Sequence, residues 1–481
     1  MNYSVFIMGQ SSHDRDTRSR TRVLLVAPDV VGARMAGPGL RFVSIARALA
    51  PYMHVTLAAG VEGSSALDDE ARAFDVSYYS ERSELEELVA ATDVIFCQFF
   101  DTHVARIANE AGVAIVYDLY NALPVETIGS NRISGFTDEE GKDREYSELV
   151  KYFAFCARAG SYFVTSNERQ RDWWLGFIMA SLGVLPSTLH GRKADEIIGL
   201  LPFGTEDREP ELDFHGLRGR HGLESSDFIV LWAGGIWDWF DAATPIRAVA
   251  SLVHENPQIK LVFYGTTHPN ASIGEPATVR EAKALAEQLG VLGSNVVFLD
   301  DWGPAAEREN YLLDADIAIS THQDSLETHY AFRTRILDHF WARLPSVVSR
   351  GDWFAQYIDN HGLGTVTAVG DVAGVADAIR TYADNESIRA STVERIESIR
   401  ADWTWSETTR ELRELLTTGF ASIRRPRLVV EETVQPAEAP AHVEPSIRQL
   451  VRKRLVSSPL GPVLRRGRAA LQRVSSRHRR E

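Results

Sequence analysis

The sequence predicts an α/β protein built from two consecutive open parallel-sheet domains that face each other across a cleft. Three observations predict it. Short apolar runs of strand length alternate with longer amphipathic segments; a polar stretch at 205–227 interrupts the alternation; and the alternation then resumes. Strands buried on both faces and separated by helices mark a parallel sheet covered on both sides. In such sheets ligands bind beyond the carboxyl ends of the strands, which places the predicted site between the two domains.

Residues 1–20 read as a flexible N-terminus and 21–205 as the first domain. Its strands are RVLLVA (22–27), HVTLAA (54–59), DVIFCQ (93–98), AIVYD (114–118) and YFVTS (162–166), and IIGLLPFG (197–204) closes it. Leu40, Val43, Ala46 and Leu49 fall on one stripe of a helix over 39–50, and Asn167 caps another that begins ERQRDWW. Residues 206–227 read as an interdomain linker with a short lead-in. The second domain, 228–385, carries the strands FIVLW (228–232), KLVFYG (260–265), VVFLD (296–300), DIAIS (316–320) and PSVVS (345–349). Helices near 245–255, 277–289, 305–314, 330–342 and 371–384 separate them. Two helical stretches, 386–401 and 406–418, make up a C-terminal segment 386–420. Residues 421–445, rich in Pro, Glu and Ala, read as a disordered linker, and 446–481 as a basic amphipathic tail.

Charge divides the chain in the same way. The net charge of −15 over 481 residues combines a local +10 at 446–481, where eleven Lys or Arg face Glu481 alone, with −25 elsewhere. An acidic body with a basic tail has to be matched to partners part by part. No run approaches the ~18 apolar residues of a spanning helix, and residues 1–20 lack the apolar centre of a signal peptide. The two cysteines, Cys97 and Cys156, lie in no CxxC or Cys/His cluster, which argues against a zinc site or disulfide framework and fits a cytoplasmic protein.

Three stretches can carry chemistry. MAGPGLRF (35–42) puts Gly37 and Gly39 between the first strand and its helix, where backbone N–H groups can approach an anion or a sugar; a plain turn needs glycine equally. LWAGGIWDWFD (231–241) ends a buried strand in Gly234 and Gly235, a phosphate-cradle arrangement, and its Trp237 and Trp239 either meet the ligand or plug the interdomain face. LETHYAFRTRILDHFWARLP (326–345) collects Glu327, Arg333, Arg335 and Asp338 after the strand DIAIS. Arginine forks suit a diphosphate and carboxylates suit sugar hydroxyls. Basic residues in a first helical turn oppose the dipole, which favours a functional reading of Arg333, while Arg335 fits an ion pair equally well.

The order of a glycine loop, PFG, WAGGIWDW, FYGTTHPN (263–270) and ETHYAFRTRILDHFWARLPSVVS resembles bacterial GT-B glycosyltransferases. It is most similar to the retaining family 4 group that builds O-antigen and other envelope polysaccharides. The similarity covers roughly 21–420 and is strongest in the second domain, which in such enzymes binds the nucleotide sugar. Aligned on Pro345, the second of the family's two helix glutamates falls on Asp338 and the first on Tyr330; Glu327 takes its place if the loop is three residues longer. The family's diphosphate-binding Arg and Lys fall on Gly235 and Phe240, which leaves Arg333 as the substitute and Arg335 second. The histidine often found after the fourth strand is replaced by Gln98 or Asp101, and Asp118 occupies another position near the cleft, where the resemblance counts it with Glu327 and Arg333 among the catalytic residues. DAD (314–316) superficially matches a metal-binding motif, but it straddles a helix end and a strand start, so no metal site is expected.

The resemblance implies a retaining, metal-independent glycosyltransferase without a resident cofactor. Its nucleotide-diphosphate sugar would be held by Gly234, Gly235, Arg333 and Asp338, and its donor sugar oriented by Glu327. Asp301 and Trp302 would tune donor choice, and the acceptor would be a cell-envelope glycan or a lipid-linked one. A catalytically silent GT-B scaffold or glycan-binding protein is the alternative, and a nucleotide-sugar epimerase a third. The tail, with Arg452, Lys453, Arg454, Arg465 and Arg466, fits peripheral attachment to an anionic membrane or a merely solvated end. It has no aromatic residue for base stacking, so nucleic acid is not an expected partner.

Overall fold

The computed structural model describes residues 20–418, apart from 33–34, 36, 62–63, 66, 68–72, 130–132, 134–137, 190, 267–275 and 300–306. The expected flexible N-terminus (but for residue 20), the linker 421–445 and the basic tail with Arg452, Lys453, Arg454, Arg465 and Arg466 therefore lie outside the described residues.

The first domain's strands are β1 (Arg22–Val26), β2 (His54–Gly60), β3 (Asp75–Tyr79), β4 (Val94–Cys97), β5 (Ala114–Asp118), β6 (Tyr162–Thr165) and β7 (Ile198–Leu200). They form a parallel sheet in the order β3-β2-β1-β4-β5-β6-β7. The second domain repeats the plan with β8 (Phe228–Ala233), β9 (Ile259–Tyr264), β10 (Val296–Leu299), β11 (Ile317–Ser320), β12 (Ser346–Ser349) and β13 (Gly364–Thr367), in the order β10-β9-β8-β11-β12-β13. Each sheet reverses its order beside its first strand, so the chain leaves β1 and β8 in the opposite direction to β4 and β11. That divergence opens a crevice at the carboxyl edge of each sheet.

Burial explains which strands were readable. The apolar runs of β1, β4, β5 and β8 lie almost wholly inside. β3 and β13, which sequence reading does not pick out, are each an outer strand of their sheet, as are β7 and β10; the side chains of β3 and β13 are mostly half-buried, so neither needs a continuous apolar run. The helix Trp353–His361, capped by Asp352, is likewise not foreseen.

The predicted helix 330–342 is broken in the structure. Ser325 caps a short helix Leu326–Tyr330 through its hydroxyl, Ala331 turns to extended backbone, and a second helix runs Arg335–Trp341. This break decides where Glu327, Arg333 and Arg335 point.

Residues 206–227 are pinned to the second domain. Arg208 pairs with Glu309 at 2.7 Å, Asn310 Oδ1 accepts from the Asp213 and Phe214 amides, and Asp314 accepts from Leu217 and Arg218 N–H. Asp316 takes Arg218 at 2.7 Å, so both carboxylates of the DAD motif serve this packing. The last helices return to the first domain. Thr205 and Thr404 bridge the two segments, Leu412 and Leu416 enter the first domain's core, and Thr21 Oγ1 donates to Leu416 O at 3.1 Å. Among the described residues no helix is long and apolar enough to cross a membrane.

Candidate functional site

A cavity of about 250 Å³ lies between the domains. Its first-domain wall is Gly37, Pro38, Tyr120–Ala122, Val125, Glu126 and Phe203, which follow β1, β5 and β7. Its second-domain wall is Trp237, Trp239, Phe240, Glu327 and Tyr330–Arg335, which follow β8 and β11. Both walls are thus carboxyl-edge loops, as the sheet topology demands.

The glycine turn after β8 is built around Arg335. Gly234 has φ +102°, a conformation that L side chains rarely adopt, and a Cβ there would lie 3.7 Å from the Arg335 guanidinium. Arg335 donates to Gly235 O at 2.7 Å and stacks over Phe240 (3.9 Å) and Trp232 (5.0 Å). Its Nη1 is buried without a partner, and among the described residues it makes no ion pair. Burial, followed by the neighbouring Arg333, pulls its pKa down to about 9, and Asp338 only partly offsets this. A cation so placed is short of one anion.

Arg333 is different. Its Nη1 and Nη2 meet Glu327 Oε1 and Oε2 at 2.9 and 2.6 Å, and it lies over Phe240 (5.1 Å) and Trp239 (5.8 Å). The two residues predicted to hold separate parts of a donor thus form one bidentate pair on the cavity wall.

Asp118 requires a correction. It was expected near the cleft, but its side chain is fully buried and accepts from Arg41 Nε and Nη2 at 2.6 and 2.9 Å. Arg41 also donates to Leu201 O and stacks on Phe203 (4.4 Å) and Tyr120 (5.2 Å), two cavity-lining rings. The pair stands behind the wall, buried, and holds it. Gly39 is likewise a packing residue, since a Cβ there would come 2.5 Å from Val30 O, whereas Gly37 opens onto the cavity. Trp237 lines the cavity, and Asp338 does not; its carboxylate faces Arg308 at 3.4 Å. Asp301 and Trp302 lie outside the described residues.

Sequence reading misses one charged group of the first-domain wall. Glu126, on the short helix Leu123–Ile128, accepts from Asn121 Nδ2 at 2.9 Å, and Asn121 Oδ1 accepts from Gln98 Nε2 at 3.2 Å. Burial raises its pKa; the Asn121 hydrogen bond opposes this, as does Arg333 opposite, while Glu327 adds to it. Its position just after β5 was the available signal, because loops at that edge face the crevice.

No protein-family model matches the chain, and no curated protein matches it. Solved structures do. Anabaena Alr3699/HepE in complex with UDP and glucose superposes with a TM-score of 0.58 at 16% identity, covering 83% of this chain and 100% of that one. WaaG, a glycosyltransferase involved in lipopolysaccharide biosynthesis, gives 0.53 at 17%, covering 82% and 100%. A UDP-forming α,α-trehalose-phosphate synthase from Burkholderia xenovorans, in complex with glucose-6-phosphate, gives 0.56 at 13%, covering 82% and 99%. The chain shares with them the GT-B fold: two parallel-sheet domains with flanking helices.

Proposed function

We propose that this protein is a glycosyltransferase that takes a nucleotide-diphosphate sugar in the interdomain cavity. The observation that carries the reading is Arg335, a guanidinium beside the Gly234–Gly235 turn with one carbonyl for a partner and no anion. A diphosphate supplies that anion. Negative charge develops on the diphosphate as the sugar leaves, so a pre-placed Arg335 beside the turn stabilises the transition state more than the bound donor, while the Gly234 amide is spent on Tyr264 O at 2.8 Å. Glu327 and Arg333, paired across the wall, bind the donor sugar's hydroxyls with one partner and its phosphate with the other. UDP in the HepE complex supports a uridine donor as the first to try.

The finer reading rests on the resemblance: retention of configuration, no resident metal or cofactor, and an envelope or lipid-linked acceptor, with WaaG as a lipopolysaccharide-related neighbour. Peripheral attachment to an anionic membrane rests on the charge of 446–481.

The same Glu327–Arg333 pair favours a second reading, a GT-B scaffold whose donor groups are spent on each other. Thermal shift with UDP-, GDP-, dTDP- and CDP-sugars separates the two. Ligand at 100 times its Kd stabilises by about 2.7 kcal/mol, a shift of several degrees. A shift with one base class that Arg335→Met abolishes supports the transferase; no shift with any of them supports the scaffold.

A further inference from the structure

The cavity is charged on both sides. Glu327, Arg333 and Arg335 belong to the second domain, and opposite them the first domain places Glu126 among Gly37, Pro38, Tyr120, Asn121 and Phe203. A half-buried carboxyl on a wall shared with Pro38, Tyr120 and Phe203 is costly unless it has a use or a full set of partners. Glu126 has neither a cation nor a second donor among its hydrogen bonds: Asn121 takes Oε2, and Oε1 has no hydrogen-bond partner among the described residues.

The side chain that holds it is itself fixed from behind. Gln98 donates to Asn121 Oδ1 at 3.2 Å, which turns the amide so that Nδ2 faces Glu126. Trp174 Nε1 donates to Asn121 O at 3.2 Å, and Ser166 Oγ to Tyr120 O at 3.2 Å, so the loop after β5 is tied to helix and strand. The carboxylate of Glu126, a lining group of the cavity, is thereby held in a defined place through one of its oxygens. Oriented acceptors of this kind recognise hydroxyl groups.

We infer that Glu126 is the specificity-determining group for the second substrate: it accepts a hydrogen bond from a hydroxyl of a sugar acceptor and sets which hydroxyl faces the donor. The inference rests on the transferase reading above, which supplies the donor on the opposite wall. Gln98 joins Asn121 and Glu126 only because β4 pairs with β5, which brings the loops after the two strands together.

The test uses the full chain and four monosaccharides, glucose, galactose, mannose and N-acetylglucosamine, each as methyl glycoside, by saturation-transfer NMR in the presence of saturating UDP. UDP affinity is measured separately by calorimetry for the wild type, Glu126→Gln, Glu126→Ala, Asn121→Ala and Glu327→Gln. The expected result is saturation of at least one glycoside by the wild type, a loss of at least tenfold in its affinity in both Glu126 variants, a smaller loss in Asn121→Ala, and UDP affinity within twofold throughout those three. Glu126→Gln is nearly isosteric and reports on the hydrogen bond without a cavity. Saturation that survives both Glu126 variants, or that depends on Glu327 and not on Glu126, overturns the inference and leaves the transferase reading standing. UDP binding with no glycoside bound also overturns it. Absence of binding by UDP, GDP, dTDP and CDP to the wild type removes the transferase reading itself.

Discussion

Two arginines, one in each domain, stand at the cavity's two walls and are treated in opposite ways. Arg41 and Arg335 each sit near the start of a helix and stack on two aromatic rings, and each keeps one buried guanidinium nitrogen without a partner. Arg41 is matched by the bidentate carboxylate of Asp118 and by Leu201 O. Arg335 has a single carbonyl. The first has its counter-charge from the fold and serves the wall; the second is left one anion short beside a glycine turn. An identical side chain thus becomes scaffold or site according to whether the fold supplies its counter-charge.

The comparison breaks most visibly at Asp118. Asp118→Ala converts Arg41 into an uncompensated buried cation and should cost about 3–5 kcal/mol in chemical denaturation. Arg335→Met makes the opposite change. It removes a charge that has no partner, so the melting temperature should equal or exceed that of the wild type, while nucleoside-diphosphate affinity falls by about 3 kcal/mol, roughly 100-fold, in calorimetry. A fall in stability, or unaltered affinity, would equate the two arginines.

A smaller effect is expected at the seam between the domains. Arg169 donates to His329 O (3.1 Å), Gly351 O (2.9 Å) and Gln356 Oε1 (3.0 Å), Gln170 donates to Tyr330 O, and Trp353 donates to Glu168. The helix that carries Glu327 is therefore capped at its C-terminal end by the other domain. Arg169→Ala should loosen it by about 1–2 kcal/mol, read as faster amide exchange over 326–330 with little change in β8 or β11.

The smallest effect sharpens the contrast electrostatically. His339, fully buried and one turn beyond Arg335, hydrogen-bonds Ser346 at 2.9 Å, and burial followed by Arg335 pushes its pKa from 6.5 down to about 3. The folded chain binds this proton less tightly than the unfolded one. Its contribution to stability is therefore whole above about pH 6.5 and is lost as the pH falls toward about 3. In Arg335→Met one of the two depressing influences is gone, and the His339 pKa, followed by NMR, should rise; no counterpart change is expected from Asp118→Asn.

How much of this the sequence discloses depends on what each feature needs. The inner strands need continuous apolar runs, and those are visible; β3 and β13 need only one packed side and are not. The second-domain half of the site is legible because glycines and arginines at a strand's end are costly unless used. Which arginine is free is not legible, because that depends on the break at Ala331, where the backbone leaves the helix that the periodicity suggests. Asp118 misleads for a related reason. The carboxyl end of a buried strand is where structural and ligand-binding acids both sit, and its partner Arg41 is 77 residues away in sequence. Glu126 passes unnoticed because an acid on a short helix looks solvated until the opposite wall closes over it.

The return of the last helices divides the two edges of the first sheet between two tasks. Leu416 O meets Thr21, the residue before β1, so the last helix closes onto the amino edge, the edge away from the cavity. That edge fastens the far end of the described chain to the fold, and the carboxyl edge, with Gly37 and Glu126, is left to face the second domain.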